Sequence, residues 1–97
     1  MRVLYTLQAR ESLKEIASYL KDNSLSSYKI KNYLEDIRGG IQTLLTTFPE
    51  AGVVSTVGRH SVRKVMVKGY SVLYQYDSQQ QTVHVLLIYK HNLPRLK

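Results

Sequence analysis

The spacing of apolar residues divides the chain into a helical first half and a β-strand second half. Between Ala9 and Leu20 apolar residues recur every three or four positions, which predicts an amphipathic helix that ends near Asp22. Residues 2–6, just before it, are mostly β-branched, apolar or aromatic, which predicts a first strand. Thr6 is in position to cap the helix, because its hydroxyl can accept a hydrogen bond from a first-turn amide.

A second helix is predicted after a serine-rich stop at residues 24–27, which also supplies hydroxyls that can cap it. Its apolar positions keep the same spacing and are Ile30, Leu34, Ile37, Ile41, Leu44, Leu45 and Phe48. Gly39 and Gly40 interrupt the helix at a cost of about 1 kcal/mol each, which packing of the apolar stripe can offset. Because Pro49 cannot continue a helix, we expect the second helix to end there and to form an antiparallel hairpin with the first.

After residue 52 the apolar period changes from about 3.6 to two, which predicts strands. The clearest strand leads up to Val67. Because side chains alternate along a strand, Arg63, Val65 and Val67 share one face, while Lys64 and Met66 share the other. A further strand is possible at residues 53–57.

Two turns separate the remaining strands. Lys68–Gly69 forms the first turn, and the polar run at residues 77–81 forms the second. In the last strand, residues 82–89, the alternation places Val83, Val85, Leu87 and Tyr89 opposite His84, Leu86 and Ile88.

These periodicities predict an α+β fold in a single domain, residues 1–97. It has an N-terminal strand, an antiparallel helical hairpin, and a C-terminal three- to four-stranded antiparallel sheet with the hairpin on one face. A chain of 97 residues with 43% apolar content is long enough for one core and little more.

Composition excludes several classes of site. The chain has no cysteine, so disulfides and cysteine-bearing metal sites are excluded, and we expect no metal and no cofactor. No apolar run approaches the roughly 20 residues of a membrane span, and the N-terminus lacks the unbroken hydrophobic stretch of a signal peptide. We therefore expect a cytoplasmic protein without membrane contact.

The positive charge is concentrated in the second half of the chain. Residues 1–51 carry seven Lys/Arg and six Asp/Glu, whereas residues 52–97 carry seven Lys/Arg and only Asp77, out of a net charge of +7. Because this half is predicted to be sheet, we expect a basic surface on the sheet and its tail that binds an acidic or polyanionic partner.

The order of elements and the motif that follows Arg63 resemble the RelE/ParE superfamily of bacterial toxins. The resemblance covers essentially the whole chain: a leading strand, a helix with Ala9, Leu13 and Ile16, a second helix ending at a proline, and a meander with Gly69-Tyr70 followed by Tyr74. It implies the toxin of a type II toxin–antitoxin pair, which inhibits growth and stabilises plasmids. RelE-like members cut messenger RNA in the ribosomal A site, whereas ParE-like members bind DNA gyrase and trap its cleaved complex with DNA.

The nuclease alternative needs an acid, a base and cations around the reacting phosphate. Its candidates in this chain are His60, Arg63, Lys64 and His91. RelE-like toxins keep an arginine directly after Gly-Tyr, where this chain has Ser71, and a C-terminal tyrosine, which is missing after His91. These departures favour the gyrase-binding branch, which needs no catalytic group.

On the gyrase-binding interpretation, the target contacts come from the basic strand and tail. The candidates are Arg59, Arg63, Lys64, Lys68, Tyr89, Lys90 and Arg95. Two alternatives remain open: Lys64 and Lys68 are solvated strand residues without a specific role, and the tyrosines of residues 70–76 pack in a half-buried sheet surface rather than stack on nucleic acid.

The resemblance also implies a protein partner. Toxins of this superfamily are held inactive by a cognate antitoxin, whose acidic C-terminal segment is disordered until it wraps the toxin. A basic surface and an exposed sheet edge suit such a segment, as a helix across the hairpin or as a strand on the sheet.

Overall fold

The elements of the computed structural model, which describes residues 1–90, follow the order that the hydrophobic pattern predicts. They are β1 (Arg2–Tyr5), α1 (Leu7–Asp22), α2 (Ser27–Thr47), β2 (Val53–Val57), β3 (His60–Val67), β4 (Tyr70–Asp77) and β5 (Thr82–Tyr89). The α+β fold is confirmed, including the possible strand at residues 53–57 and the helix that continues through both glycines.

Both helices begin at the predicted hydroxyl caps. Thr6 Oγ1 accepts a hydrogen bond from the Ala9 amide at 3.1 Å, and Ser26 Oγ accepts one from Lys29 at 3.2 Å. Helix α1 ends where Ser24 adopts a φ of +70°, with the Leu25 amide donating to the Leu20 carbonyl at 3.1 Å. This is a Schellman ending, and it turns the chain back into α2.

The sheet contains five strands in the order β1-β5-β4-β3-β2. Strands β2 to β5 form the predicted antiparallel meander, while β1 pairs in parallel with β5 and adds a fifth strand. At residues 68–69 both φ angles are positive, +53° and +83°, as a tight two-residue hairpin turn requires.

The hydrophobic core lies between the helical hairpin and one face of the sheet. Its buried members are Ala9, Leu13, Ile16, Leu20, Ile37, Ile41, Leu45, Val67, Tyr70, Val72, Tyr74, Val83, Val85 and Ile88. Gly40 permits the close approach of α2 to β3, because a Cβ at this position would lie only 2.8 Å from Val67 Cγ1. The second glycine of the helix is therefore required by packing.

A β-bulge in β5 overturns the predicted alternation of the last strand. Leu73 pairs with Leu87 and Tyr74 pairs with Val85, so Leu86 is an extra residue in β5. Ile88 consequently joins Val83 and Val85 in the core, whereas it was predicted to face the other way.

Helix α1 supplies the groups that hold this bulge. Ser12 Oγ accepts a hydrogen bond from the Ile88 amide at 3.3 Å, and the Thr6 hydroxyl donates to the Val85 carbonyl at 3.0 Å. Both side chains lie far from β5 in the sequence. The alternation pattern within β5 therefore could not predict these hydrogen bonds or the bulge.

Strand β2 and the start of β3 extend beyond the helical layer, and we call residues 53–62 the overhang. None of the described core residues comes from β2, and Val53 and Val54 are 74% and 51% exposed. Phe48, predicted to continue the apolar stripe of α2, instead follows the last turn of the helix and is 62% exposed. Among residues 1–90 no helix is long and apolar enough to cross a membrane.

Candidate functional site

The structure spreads the predicted basic residues along β3, with Arg63 and Lys64 in the middle of the strand. Arg59 and His60 lie exposed at the β2–β3 turn, and Lys68 lies in the β3–β4 turn. At about 3.3 Å per residue, roughly 30 Å of strand separates Arg59 from Lys68. His91 and Arg95 lie outside the described residues. The basic residues expected to form a single surface are therefore spread over the length of β3 and the turns at its two ends.

Lys68, at one end of β3, lies in a cluster that we call the lysine end. The cluster consists of Lys68, Tyr89 and Lys90. Strand register brings it together, because Ser71 pairs with Tyr89 and Val67 pairs with Tyr70 across neighbouring strands. The Lys90 ammonium lies 5.3 Å from the centroid of the Tyr70 ring, a cation–π contact that positions the lysine over the strand.

Tyr70 anchors the lysine end to the helices. Its hydroxyl lies 3.3 Å from that of Tyr33 on α2, and the two rings meet edge to face with centroids 6.2 Å apart. Burial, followed by the hydrogen bond with Tyr33, raises the pKa of Tyr70 well above its usual range. Because the Tyr70 side chain is buried, its ring packs in the core and is not available to stack on a base. Sequence patterning gave no sign of Tyr33, because it lies beside the main apolar stripe of α2.

Arg63 and Tyr74 hold the connector between α2 and β2. The Arg63 guanidinium donates to the carbonyls of Glu50 and Gly52, both at 3.1 Å. The fully buried Tyr74 hydroxyl accepts from the Gly52 amide and donates to the Pro49 carbonyl, both at 2.9 Å. Desolvation raises the pKa of Tyr74. We call this hydrogen-bonded set the connector clasp.

A glycine is needed within the clasp. A Cβ at Gly52 would lie 2.9 Å from both the Lys64 carbonyl oxygen and the Tyr74 hydroxyl. The motif residues on which the family resemblance depends therefore have direct structural roles: Arg63 and Tyr74 fasten the connector, and Gly69 makes the turn.

The structure does not bring His60, Arg63 and Lys64 together. Arg63 shares the helix-covered face of β3 with Val67, Lys64 lies on the open face, and His60 is exposed at the turn. About 13 Å of strand separates His60 from Lys64 along that face. Within residues 1–90 no group of three or more His, Asp or Glu could hold a metal ion.

Ser71 occupies an enclosed position on the open face. Its side chain is fully buried, and its hydroxyl donates to Met66 Sδ at 3.3 Å. Instead of the exposed cation that RelE-like toxins have after Gly-Tyr, this chain has a small side chain covered by methionine. His84, also on the open face, is half-buried and lines a polar cleft with Ser61 and Gln75.

Comparison with known proteins places this architecture in a family. The family described as the ParE toxin of the type II toxin–antitoxin system, parDE, matches residues 3–92. The chain belongs to the ParE toxin family. It is thus a toxin of a type II toxin–antitoxin system within the RelE/ParE superfamily, as the sequence motif predicts.

Solved structures of related systems have the same fold at low sequence identity. A chain of the chromosomal ParDE toxin–antitoxin system from P. aeruginosa matches with a TM-score of 0.71 and 19% identity, covering 93% of this ParE-family chain and 95% of the other. The RelBE2 toxin–antitoxin complex from Mycobacterium tuberculosis gives 0.59 and 20%, covering 93% and 96%.

The archaeal RelE–RelB complex from Pyrococcus horikoshii OT3 gives a TM-score of 0.53 and 16% identity, covering 96% and 97% of the two chains. No curated protein matches this member of the ParE family. These likenesses establish the fold that ParE-like and RelE-like proteins share.

Proposed function

We propose that this toxin inhibits DNA gyrase by binding, in the cytoplasm, as the ParE-like branch of the superfamily does. The observation that carries the proposal is the match of the ParE family over residues 3–92, nearly the whole chain. A binding toxin needs a surface of suitable shape and charge, with no acid–base pair.

The arrangement of charged residues supports this choice over RNA cleavage. A metal-independent nuclease needs several cations converging on one phosphate. Arg63 and Lys64 lie on opposite faces of β3, and the Arg63 guanidinium is engaged with two backbone carbonyls. Ser71 adds no charge beside them.

We propose the lysine end as the main target contact. Lys68 is exposed in its turn, and Lys90 is held over Tyr70 at the end of β5, beside Tyr89. The turn fixes the backbone of Lys68, and the Tyr70 ring holds the Lys90 ammonium, so Lys90 has less rotamer freedom left to lose on binding. Arg59, Arg63, Lys64 and Arg95 remain proposed secondary contacts.

We further propose a cognate antitoxin with an acidic segment as the physiological partner. The P. aeruginosa match is to a ParDE toxin–antitoxin system, and the other two are to RelBE and RelE–RelB complexes. A net charge of +7 on this chain favours an acidic partner.

Gyrase inhibition is testable with purified components. We expect the toxin to block supercoiling of relaxed plasmid and to accumulate cleaved DNA that is revealed once gyrase is denatured. Lys68→Gln and Lys90→Gln should each raise the half-inhibitory concentration about fivefold, the equivalent of about 1 kcal/mol for one charged contact. Lys31→Gln, an exposed lysine on α2, is the matched control and should change little.

Two results would contradict these proposals. If supercoiling proceeds normally while ribosome-bound message is cut on induction, the RelE-like alternative replaces this proposal. If Lys68→Gln and Lys90→Gln inhibit gyrase as strongly as the wild type does, the target contact lies away from the lysine end.

A further inference from the structure

Strand β2 forms an open edge of the sheet. It is the last strand in the sheet order, and among residues 1–90 it pairs with β3 alone. Residues 58–59 form a two-residue turn, so Val57 and His60 exchange hydrogen bonds and the pairing alternates from there. The amides and carbonyls of Val54 and Thr56 therefore point away from β3, toward solvent.

This edge lacks the usual devices that protect an edge strand. Such strands are commonly protected by a charge, a proline, a bulge or a covering element. The sequence of β2 is Val-Val-Ser-Thr-Val, without a charged residue or a proline, and its register with β3 is regular across all five pairs. The overhang extends beyond the helical layer, so Val53 and Val54 stay exposed. The edge can therefore pair with another strand over its whole length.

The residues that flank β2 carry opposite charges at its two ends. Glu50 lies in the connector three residues before the strand, and Arg59 lies in the turn two residues after it. Both side chains are exposed, and among residues 1–90 neither makes an ion pair. A strand with an acid before it and a base after it is complementary to an antiparallel copy of itself, because each acid then lies beside the base of the other copy.

A twofold axis through Ser55 satisfies both the backbone and the charges. It pairs Val54 of each copy with Thr56 of the other, so every outward amide and carbonyl of these two residues gains a partner. In the same register Arg59 of one copy lies opposite position 51 of the other, which brings it next to Glu50. The pairing therefore adds two ion pairs, one at each end.

The lysine of β3 nearest to the edge does not oppose this pairing. Lys64 pairs with Val53, one strand in from the edge, so three strand spacings, about 14 Å, separate the two copies of Lys64 across the sheet. The antiparallel direction also displaces them by about 13 Å along the strands. Because both separations exceed the Debye length of about 8 Å at physiological ionic strength, their repulsion is largely screened.

We propose that the β2 edge pairs with β2 of a second copy of this chain, so that two five-stranded sheets join into one continuous sheet. A single strand edge buries less area than the roughly 1,200–2,000 Å² of a standard stable interface, so the dimer is weak. We expect a dissociation constant of about 10–100 µM. The dimer depends neither on the gyrase proposal nor on the antitoxin.

The first test reverses the charges at the two ends of β2. Sedimentation velocity of the whole protein over about 5–500 µM measures the monomer–dimer equilibrium. Glu50→Lys and Arg59→Glu should each weaken the dimer about tenfold, because each places like charges together at both ends of the pair. The two changes combined should restore the wild-type dissociation constant to within about threefold. Glu35→Lys, at an exposed acid on α2, changes the net charge equally and is the matched control, which should change little.

Recovery in the combined variant can come only from contact between copies. Within one chain Glu50 and Arg59 are separated by the whole of β2, about 17 Å of strand, so the two changed charges cannot meet there. A role of either residue in folding alone would instead make the combined variant at least as weak as the single ones.

The second test examines the backbone of the edge. Val54→Pro with Thr56→Pro removes the outward amides without removing a hydrogen bond to β3, and should abolish the dimer while circular dichroism shows a folded protein. Hydrogen exchange on the wild type should slow at the same two amides as the protein concentration rises. The exchange measurement needs no variant and survives if the proline variant fails to fold.

Three outcomes would overturn the proposal. They are a monomer across the whole concentration range, a dimer that the combined charge reversal fails to restore, and a dimer without protection of the Val54 and Thr56 amides. Because the assay contains neither gyrase nor an antitoxin, a failure here is distinct from a failure of the gyrase proposal.

Discussion

The part of the sheet beneath the helices and the overhang differ in how far their side chains are buried. Under the helices, Val72, Val83 and Val85 are fully buried, whereas in the overhang Val53 and Val54 are 74% and 51% exposed. The same residue type thus stabilises the core in one region and remains available to a partner in the other. The comparison separates the part of the chain that determines the fold from the part that is free to vary with function.

The family motif lies on the fold-determining side. Tyr70 and Tyr74 are buried, Gly69 makes a turn, and Arg63 joins the connector to the sheet. These roles stabilise the fold and make no contact with a target. The motif therefore predicts the fold and the superfamily, while the choice between gyrase and ribosome depends on other surfaces.

The largest expected effect is on stability under the helices. Ile41→Ala removes a fully buried side chain and should lower the free energy of unfolding by about 2–5 kcal/mol. Val53→Ala in the overhang should change it by less than about 0.5 kcal/mol. Urea unfolding followed by circular dichroism measures both, and similar losses for the two variants would refute the division of the sheet.

A smaller effect is expected at the joint between the two regions. Arg63→Ala removes two hydrogen bonds to the connector and should lower the free energy of unfolding by about 1–2 kcal/mol, with the folded spectrum retained. The exposed Arg59→Ala in the neighbouring turn is the control and should cost less than about 0.5 kcal/mol.

The same variant distinguishes structure from target contact. Well below its melting temperature, Arg63→Ala should still inhibit gyrase if its main role is the connector clasp. Unchanged stability together with lost inhibition would instead assign Arg63 to the target surface.

A further effect concerns the pH dependence of stability and arises under the helices. Burial raises the pKa of Tyr70 and of Tyr74, so the folded state holds their protons after the unfolded chain has released them. Stability is therefore fully present below the ordinary tyrosine pKa of about 10 and falls as pH rises above it, by at most about 1.4 kcal/mol per pH unit for each group.

Urea midpoints measured between about pH 9 and 11 test this dependence. Tyr70→Phe should make the fall shallower, whereas Tyr28→Phe, at a side chain 74% exposed, should not. Identical pH profiles for the wild type and Tyr70→Phe would show that Tyr70 ionises equally in the folded and unfolded states.

Much of the fold was predictable because its signals are local. The 3.6-residue stripes, the hydroxyls at Thr6 and Ser26, the period-two strands and the turn at residues 68–69 each act within a few positions of the chain. Alternation likewise predicted that Arg63 and Lys64 lie on opposite faces. That separation weakens the nuclease alternative for which they were candidates.

What the sequence did not reveal depends on distant contacts. The β5 bulge requires Ser12 and Thr6 from α1, and the exposure of Phe48 depends on where the helix ends relative to the sheet. The spread of the basic residues depends on the length of β3, which charge counting does not consider.

The bulge in β5 also decides how the chain leaves the sheet. If Leu86 took part in regular alternation instead of forming a bulge, the residues after it would exchange faces, and Tyr89 would turn toward the helices instead of lying opposite Ser71. Two hydroxyls near the N-terminus, on Thr6 and Ser12, thereby set the direction of Lys90, more than seventy positions away. An insertion in this strand that is not accommodated as a bulge would therefore disturb the lysine end even where the core repacks, so natural insertions in relatives of this toxin should avoid residues 82–90.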